Sequence, residues 1–342
     1  MLEKPDIADE LIISHVQEEY GLHIAQFTFL PLGADENTAV YRVETSAGIT
    51  YFLKLRKNFE EIIVTVPLFL KEQGVQAMII PFEAKSNSRW ADFGAYKLIL
   101  YPFIEGENGF DRELSDQHKR SLGAALKAVH SAGVPPELKR RLPQETFSPV
   151  WREKMKSFQG QIEEISFEEP SAAKLVEFMK SKRNEISHLV ARADQLASDL
   201  QSKSPELVLC HSDIHGGNIL IGDNNELYIV DWDNPILAPK ERDLMFIGGG
   251  IDAIWKGEAD EAVFYEGYGE PEMDLAALTY YRYERVIEDL VVICGQLLLT
   301  EAGGADRQRS YGWFRSNFEP GGTIAIADKT HYWLTKAPDH LP

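Results

Sequence analysis

The chain has 342 residues, more than one compact core usually contains, so we expect two domains or lobes. Its hydrophobic fraction of 44% is ample for a buried core. Its formal net charge of −19 argues against a nucleic-acid partner, which needs surplus lysine and arginine, and would attract a small cationic ligand. Only Cys210 and Cys294 are present, which argues against a disulfide framework and favours a reducing compartment.

The N-terminal sequence MLEKPDIADE carries charges where a signal peptide needs an apolar core. No apolar run approaches the ~20 residues that span a bilayer. We therefore expect a cytoplasmic protein with no membrane partner and no obligate protein partner.

Short β-type runs, separated by Gly, Asp and Asn, dominate the chain before residue 104. These predicted strands cover residues 27–30, 39–44, 50–56, 78–82 and 96–101. The segment FEEIIVTVPLFLKEQG, at residues 59–74, predicts a helix with an apolar stripe.

Helical periodicity dominates after residue 104, for example in DQHKRSLGAALKAVHSAG, where Gly133 ends a helix. Further helices are predicted at about 150–165, 171–200, 241–248, 259–268 and 272–302. One β-type island, residues 207–230, interrupts them. The pattern predicts an α+β fold, with YPFIEGENG at residues 101–109 as a hinge.

The motif HSDIHGGNIL, within the island, has two competing interpretations. A metallohydrolase would use Asp213 and His215 as metal ligands, but it needs a Gly-Asp-x-x-Asp and a Gly-Asn-His that the chain lacks. A phosphoryl-transfer loop would place Asp213 at the nucleophile and Asn218 on magnesium. We favour the second, with His215 a structural residue and His211 bonded to backbone.

The continuation NILIGDNNELYIVDWD predicts a hairpin with Asn224 and Asn225 in a two-residue turn. That register sets Asn218 directly across from Asp231. Cross-strand partners lie about 5 Å apart, so their oxygen atoms would share one Mg²⁺ ion.

The β-rich part of the chain offers residues for a nucleotide. Lys54 lies in a predicted strand among apolar neighbours, where a charge needs a partner, and we expect Glu61 rather than Glu60 to supply it. The loop from Gly33 through Asn37 to Thr38 is suited to cover phosphates with its backbone N–H groups.

The residues VLCHSDIHGGNIL and YIVDWD, with Lys54 and the Tyr-Pro-Phe hinge, resemble the aminoglycoside phosphotransferases. The segments YPFIEGENGF, SPVWREKMKSF, APKERDLMFIGGG, FYEGYGE and YYRYERVIEDL resemble the spectinomycin phosphotransferase branch of that family. The resemblance runs along nearly the whole chain.

The resemblance implies the bilobal protein-kinase-like fold, with a β-rich nucleotide-binding lobe at residues 1–104 and a mainly helical lobe at 105–342. It implies ATP and Mg²⁺ as cofactors, and a small cationic antibiotic as acceptor. Asp213 would be the catalytic aspartate, Asn218 and Asp231 the magnesium ligands, and Lys54 the ligand of the α- and β-phosphates. Backbone groups from Tyr101 to Phe103 would bind adenine.

Two departures from protein kinases indicate a small acceptor. Ser212 stands where regulated kinases often carry Arg, and only about ten residues separate Asp231 from the predicted helix at Glu241. Trp232 and Asp233 replace the Phe-Gly of the usual Asp-Phe-Gly, which favours a fixed loop.

A spectinomycin-like acceptor carries two secondary amines, so carboxylates and aromatic rings are expected around it. The residues predicted to bind it are Asp233, Glu284, Tyr281, Glu288, Tyr265, Tyr268 and Trp255. The alternative for each is an ordinary salt-bridged helix face or core packing. Two alternative functions stay open: a metabolic kinase of choline, homoserine or a sugar-like alcohol, and a nucleotide-binding protein without catalysis.

Overall fold

The computed structural model describes residues 4–32, 37–164, 167–250, 254–300, 304 and 306–336. Within these residues, no helix is both long and apolar enough to cross a membrane. The chain divides into two compact units. The first comprises Met1–Leu114, Ala132–Arg141 and Gly216–Pro235; the second comprises Ser115–Ser131, Leu142–His215 and Ile236–Pro342.

The described residues form strands and helices in an α+β arrangement, as predicted. The strands are β1 (Ile24–Leu30), β2 (Thr38–Thr45), β3 (Thr50–Arg56), β4 (Ala91–Phe93), β5 (Tyr96–Pro102), β6 (Gly106–Asn108), β7 (Val208–Cys210), β8 (Ile219–Gly222), β9 (Leu227–Ile229) and β10 (Ile236–Ala238). The helices are α1 (Asp9–Tyr20), α2 (Ile62–Glu72), α3 (Asp116–His130), α4 (Pro136–Arg141), α5 (Val150–Glu164), α6 (Pro170–Ser181), α7 (Arg183–Lys203), α8 (Glu241–Leu244), α9 (Glu258–Tyr268), α10 (Leu275–Leu298), α11 (Asp306–Ser316) and α12 (Thr323–Lys336).

The main sheet of the first unit has five antiparallel strands in the order β1-β2-β3-β5-β4. Its core consists of alternate strand residues such as Tyr41, Leu53 and Leu98, which pack with Ile12 and Val16 of α1. Fully burying one such side chain contributes roughly 1.5–3 kcal/mol. This core fixes β3, and therefore Lys54, in the middle of the sheet.

The prediction of a strand at residues 78–82 is wrong. Met78 makes one isolated bridge to Ile229, and the N–H of Phe82 bonds the carbonyl of Leu100 at 2.7 Å. Pro81 lies between them and has no N–H to donate, so a regular ladder cannot continue.

A second sheet in the first unit has the order β6-β8-β9 and brings the predicted hinge segment beside the motif hairpin. Gly106 lies opposite Gly222, and a Cβ atom at residue 106 would lie only 2.2 Å from the carbonyl oxygen of Ile221. Glycine is therefore required for this pairing. The predicted domain boundary at residue 104 lies within the first unit, which continues to Leu114.

The second unit is helical and is organised around α10, which packs against α5, α7, α11 and α12. Helices α3 and α9 lie in close contact, since a Cβ atom on Gly123 would lie 2.2 Å from the Phe264 carbonyl oxygen. The predicted helix at 171–200 is two helices, α6 and α7, which are separated at Lys182. Strand β7 pairs with β10, just before the motif loop.

Candidate active site

Lys54 is buried at the centre of the five-stranded sheet, where β3 lies between β2 and β5. Its Nζ lies 2.8 Å from Oδ1 of Asp231 and 2.8 Å from both carboxylate oxygens of Asp233. Burial alone would lower the pKa of Lys54, but the charges of Asp231 and Asp233 outweigh it and raise this pKa above its usual value. The ammonium group therefore stays charged.

Arg56, two residues further along β3, is the second cation of this cluster and forms an ion pair with Asp233. Two cations thus face two carboxylates. We call Lys54, Arg56, Asp231 and Asp233 the Lys54 cluster.

The predicted ion pair between Lys54 and Glu61 is wrong. Glu61 stands just before α2 and its carboxylate lies 2.5 Å from the guanidinium of Arg141. Asp231 and Asp233 neutralise Lys54 instead, because the second sheet of the first unit carries the YIVDWD segment to it.

Asn218 does not lie directly across from Asp231, so the predicted register is wrong by one residue. Ile219 pairs with Ile229, and the N–H of Val230 donates to the carbonyl of Asn218 at 3.0 Å. The hairpin loop has three residues rather than two, because Asn225 adopts a left-handed conformation with φ of 66°. Asn218 therefore faces Val230, the residue before Asp231.

Asp231 adopts a left-handed conformation with φ of 64°, two residues after the end of β9. Such a backbone costs energy in a residue other than glycine, and it is typical of functional sites. The side chain is 47% exposed, so its carboxylate is accessible beside Lys54. Asn218 is buried at the start of the same hairpin and offers an amide oxygen. Oxygen ligands of this kind suit a hard divalent cation.

The residues predicted to bind the nucleotide lie in the first unit. Tyr101 lies near the end of β5, paired with Phe52, and Phe103 follows the strand beneath the guanidinium of Arg42, 4.5 Å from the ring centroid. The carbonyl of Asn37 accepts the N–H of Lys57 at 2.9 Å, at the start of β2. Gly33 lies outside the described residues.

In the second unit, Asp213 lies on a loop that follows β7 and is held by Asp243. The carboxylate of Asp243 accepts the N–H of His211 at 2.9 Å and that of Ser212 at 2.6 Å. Ser212 is left-handed, with φ of 74°. His211 Nδ1 accepts the N–H of Asp213 at 3.2 Å, which confirms the prediction that His211 bonds backbone.

The Asp213 carboxylate forms an ion pair with Arg285 of α10, where Nη1 lies 2.7 Å from Oδ1. Nε2 of His215 lies 3.5 Å from the other oxygen. Burial alone would raise the pKa of Asp213, but the hydrogen bond from His215 and the charges of Arg285 and His211 outweigh it and lower this pKa. Asp213 therefore stays ionised at neutral pH.

Three of the residues predicted to bind the acceptor are buried against protein partners in this structure. Glu284 lies 2.5 Å from the guanidinium of Arg152. The hydroxyl of Tyr281 donates to Glu145 at 3.2 Å. Tyr268 is 2% exposed, and its hydroxyl lies 2.7 Å from Nδ1 of His130.

The other four predicted acceptor residues have varied surroundings. Asp233 belongs to the Lys54 cluster. Glu288 is partly exposed on α10, and Trp255 packs edge-on against Phe264 with ring centroids 5.7 Å apart. Tyr265 is half-buried, and burial raises its pKa to about 12.

Sequence reasoning missed several residues that build the site. Arg56 is two residues beyond Lys54 and so shares its face of β3, a signal that strand alternation offers. Asp289 is four residues beyond Arg285 on α10, which is the spacing of helical ion pairs, and the two lie 3.0 Å apart. Nothing local in the sequence points to Asp243 or His130, because their pairing joins distant segments.

Within the described residues, one group of His, Cys and acidic side chains has metal-binding spacing: His130, Cys210 and Asp243. The metallohydrolase interpretation would require Asp213 and His215 as ligands, and this group includes neither. Burial raises the pKa of the Cys210 thiol well above its usual value, which disfavours the thiolate that binds metals. The group is better explained as the anchor of the motif loop.

Comparison with known proteins gives the family. Residues 28–278, well over half of the chain, match the model of the phosphotransferase enzyme family. A spectinomycin phosphotransferase in complex with ADP and spectinomycin is 36% identical, with a TM-score of 0.89 over 96% of this chain and 99% of that one. An AMP-bound complex of spectinomycin phosphotransferase is 33% identical, with a TM-score of 0.83 over 97% of this chain and 99% of that one.

A choline kinase from Streptococcus pneumoniae shares the fold alone, at 12% identity and a TM-score of 0.53, over 96% of this chain and 99% of that one. The kinase-like fold predicted from the sequence is thereby confirmed. The chain belongs to the phosphotransferase enzyme family and is a phosphotransferase that acts on a hydroxyl group.

Proposed function

We propose that this phosphotransferase transfers the γ-phosphoryl group of ATP to a hydroxyl of a small cationic aminocyclitol or aminoglycoside antibiotic, with spectinomycin as the first choice. The observation that carries the proposal is the similarity, along nearly the whole chain, to an enzyme that binds ADP and spectinomycin. The product would be an inactivated antibiotic, and the reaction would take place in the cytoplasm.

The Lys54 cluster supports the proposal that ATP is the phosphoryl donor. Lys54 stays charged inside the sheet, and a buried ammonium group binds phosphate oxygens more strongly than an exposed one because water screens it less. Asp233 pairs with both Lys54 and Arg56, so it keeps the two cations next to each other. In this proposal the backbone from Tyr101 to Phe103 binds adenine.

Asn218 and Asp231 would hold Mg²⁺, since both offer oxygen ligands from one hairpin and the Asp231 carboxylate is half exposed. A bound magnesium ion would neutralise charge on the nucleotide phosphates. The protein's own part is to present these oxygens: the left-handed turn at Asp231 directs the carboxylate, and Lys54 fixes it at 2.8 Å.

Asp213 is the residue proposed to orient the acceptor hydroxyl and to accept its proton. Its lowered pKa keeps it ionised, and therefore able to accept a hydrogen bond, across the neutral range. Asp243 accepts the backbone N–H groups of His211 and Ser212, and His211 accepts that of Asp213 itself. A fixed carboxylate pre-orients the hydroxyl for attack on phosphorus.

The charge of the protein favours a cationic acceptor. A formal net charge of −19 attracts cations and disfavours nucleic acid. Beside Arg285, α10 carries Glu288 and Asp289, both partly exposed. We propose that Glu288 binds the acceptor's amines, with Tyr265 and Trp255 as aromatic contacts. Asp233 belongs to the Lys54 cluster instead.

The test is an ATP-consumption screen against spectinomycin, several aminoglycosides, choline and homoserine, with Mg²⁺ present and with Asp213→Asn as the inactive control. Spectinomycin should give the highest kcat/KM, and mass spectrometry should show the added phosphate. Consumption with choline or homoserine alone would replace the antibiotic assignment with a metabolic kinase. If ATP binds but is not consumed with any of the compounds, a nucleotide-binding protein without catalysis is favoured.

A further inference from the structure

Arg285 contacts two carboxylates of the second unit at once. Its Nη1 lies 2.7 Å from Oδ1 of Asp213, and its Nε lies 3.0 Å from Oδ1 of Asp289. The guanidinium carbon also lies 5.5 Å from the ring centroid of Phe246. The side chain is only 17% exposed, so it is held from three sides.

These contacts distinguish Arg285 from a surface salt bridge. A guanidinium group that loses water must recover the lost hydration through paired, well-directed contacts. Asp289, one helical turn after Arg285, places its carboxylate 3.0 Å from Nε in an ion-pair contact, and Phe246 supplies a flat face for the guanidinium. With these two contacts restricting its position, Nη1 binds a loop residue, Asp213.

The charged and titratable groups around this contact come from three segments. The motif loop carries His211 and His215, which lower the pKa of Asp213. Burial raises the pKa of Asp289 to about 6, against the opposing charge of Arg285. The remaining groups that act on Arg285 are Glu288 of α10 and Arg242 of α8.

We propose that Arg285 is a positioning residue for phosphoryl transfer, which, anchored on Asp289 and Phe246, holds one oxygen of Asp213 so that the other faces the acceptor hydroxyl. This inference rests on the proposed function, because it requires Asp213 to act on that hydroxyl. It goes beyond that function because it assigns the orientation of the catalytic carboxylate to a helix outside the motif.

The chemical step is balanced without a further reactant. The acceptor oxygen forms a bond to the γ-phosphorus, the bond from that phosphorus to the bridging oxygen breaks, and ADP leaves with the electron pair. The hydroxyl proton passes to Oδ2 of Asp213, the oxygen that His215 also contacts, while Oδ1 keeps its contact with Arg285. The ion pair therefore does not have to break during transfer.

Removing the guanidinium should change both rate and pH dependence. A misdirected catalytic group costs up to ~10²-fold in rate, so Arg285→Met should lower kcat roughly 10- to 100-fold while the KM for ATP stays unchanged. An arginine beside an aspartate lowers the aspartate pKa by about 1–3 units. Since Asp213 must be ionised to work, the acidic limb of the rate profile should move to higher pH in the variant.

The experiment compares wild type with Arg285→Met, Arg285→Lys and Asp289→Asn. Arg192→Met is the matched control, since Arg192 forms an ion pair with Asp328 elsewhere in the same unit. Kinetics with spectinomycin over a pH series are combined with ¹³C-NMR titration of aspartate carboxylates, in which Asp213→Asn identifies the Asp213 signal. Arg285→Lys should recover part of kcat, because it restores a charge but not the planar fork.

The NMR titration tests the ion pair between Arg285 and Asp213, and it needs no acceptor substrate. A rise of about one unit or more in the Asp213 pKa in Arg285→Met, absent in Arg192→Met, is expected. An unchanged pKa, or an altered pKa with unchanged kcat, would overturn the assignment of Arg285. Full turnover in Asp213→Asn would instead overturn the proposed function, so the two failures are distinguishable.

Discussion

Lys54 and Asp231 are 177 positions apart in the chain, yet their charged groups lie 2.8 Å apart in the first unit. The contact depends on two separate hydrogen-bonded ladders. Strand β3 holds Lys54 inside the five-stranded sheet, and the hairpin of β8 and β9 ends at Asp231. Such a pair is the arrangement expected for a phosphate-binding lysine next to a metal-binding aspartate.

Replacing Lys54 should therefore impair the use of ATP. In Lys54→Met the hydrophobic stem is preserved and the charge is lost, so kcat/KM for ATP should fall about 10²–10³-fold. Steady-state kinetics at several ATP concentrations measure this. Lys97→Met is the control, because Lys97 is on β5 of the same sheet but forms an ion pair with Asp92 at the surface. Equal effects of both variants would contradict the role of Lys54.

Asp243 should be essential for the motif loop. It is fully buried and accepts two backbone N–H groups as well as pairing with His130 at 3.0 Å. In Asp243→Asn, an amide NH₂ group replaces one of the two oxygens that accept the backbone N–H groups of the loop. The free energy of unfolding should therefore fall by about 3–5 kcal/mol. Urea unfolding measures the loss. Asp328→Asn, which breaks an exposed pair with Arg192, should cost no more than ~1 kcal/mol.

The buried ion pair of Arg152 and Glu284 predicts a pH dependence of stability. Burial raises the pKa of Glu284 to about 7, against the lowering charge of Arg152. The ordinary pKa of a glutamate is about 4.5, so between these values the folded protein binds more protons than the unfolded chain. The contribution of Glu284 is therefore fully present below about pH 4.5 and is lost as pH rises towards 7.

Glu284→Gln removes this titration and should show it directly. The stability of wild type relative to the variant should decline by about 1–3 kcal/mol as pH rises from about 4.5 to 7.5. Chemical unfolding at a series of pH values provides the measurement. The matched control is Glu163→Gln, since Glu163 pairs with Arg183 at the surface. If the stability of wild type relative to Glu284→Gln instead rises with pH, Glu284 is not the group responsible.

The sequence was sufficient to predict the β-rich and helical character and most of the strands around Lys54, because apolar alternation follows the burial of the sheet. It was insufficient for the partner of Lys54. Glu61 is close in sequence, but the choice between Glu61 and the Asp231–Asp233 pair depends on tertiary pairing that no local pattern encodes.

The hairpin register shows how one residue changes a prediction. Asn224-Asn225 is typical of a two-residue turn, yet Asn225 takes the left-handed position of a three-residue loop. Either loop satisfies the same apolar runs, so the pattern alone could not choose between them. The difference moves the residue opposite Asn218 from Asp231 to Val230.

Helical periodicity identified the faces of α10 but not which of them meets solvent. Tyr281 and Glu284 share the spacing expected of a pocket wall, and both are buried because α5 and the segment around Glu145 cover them. Helix α11 was missed because its buried residues include Arg307 and Ser310, which a hydrophobic pattern does not register.

The Asp213→Asn variant tests whether the Asp213 carboxylate acts on the acceptor hydroxyl. The measurement pairs kcat for spectinomycin phosphorylation with the dissociation constant of ATP, in both wild type and variant. If Asp213 accepts the hydroxyl proton, kcat should fall about 10²–10⁴-fold in the variant, with ATP affinity nearly intact. Unchanged turnover in the variant would contradict it.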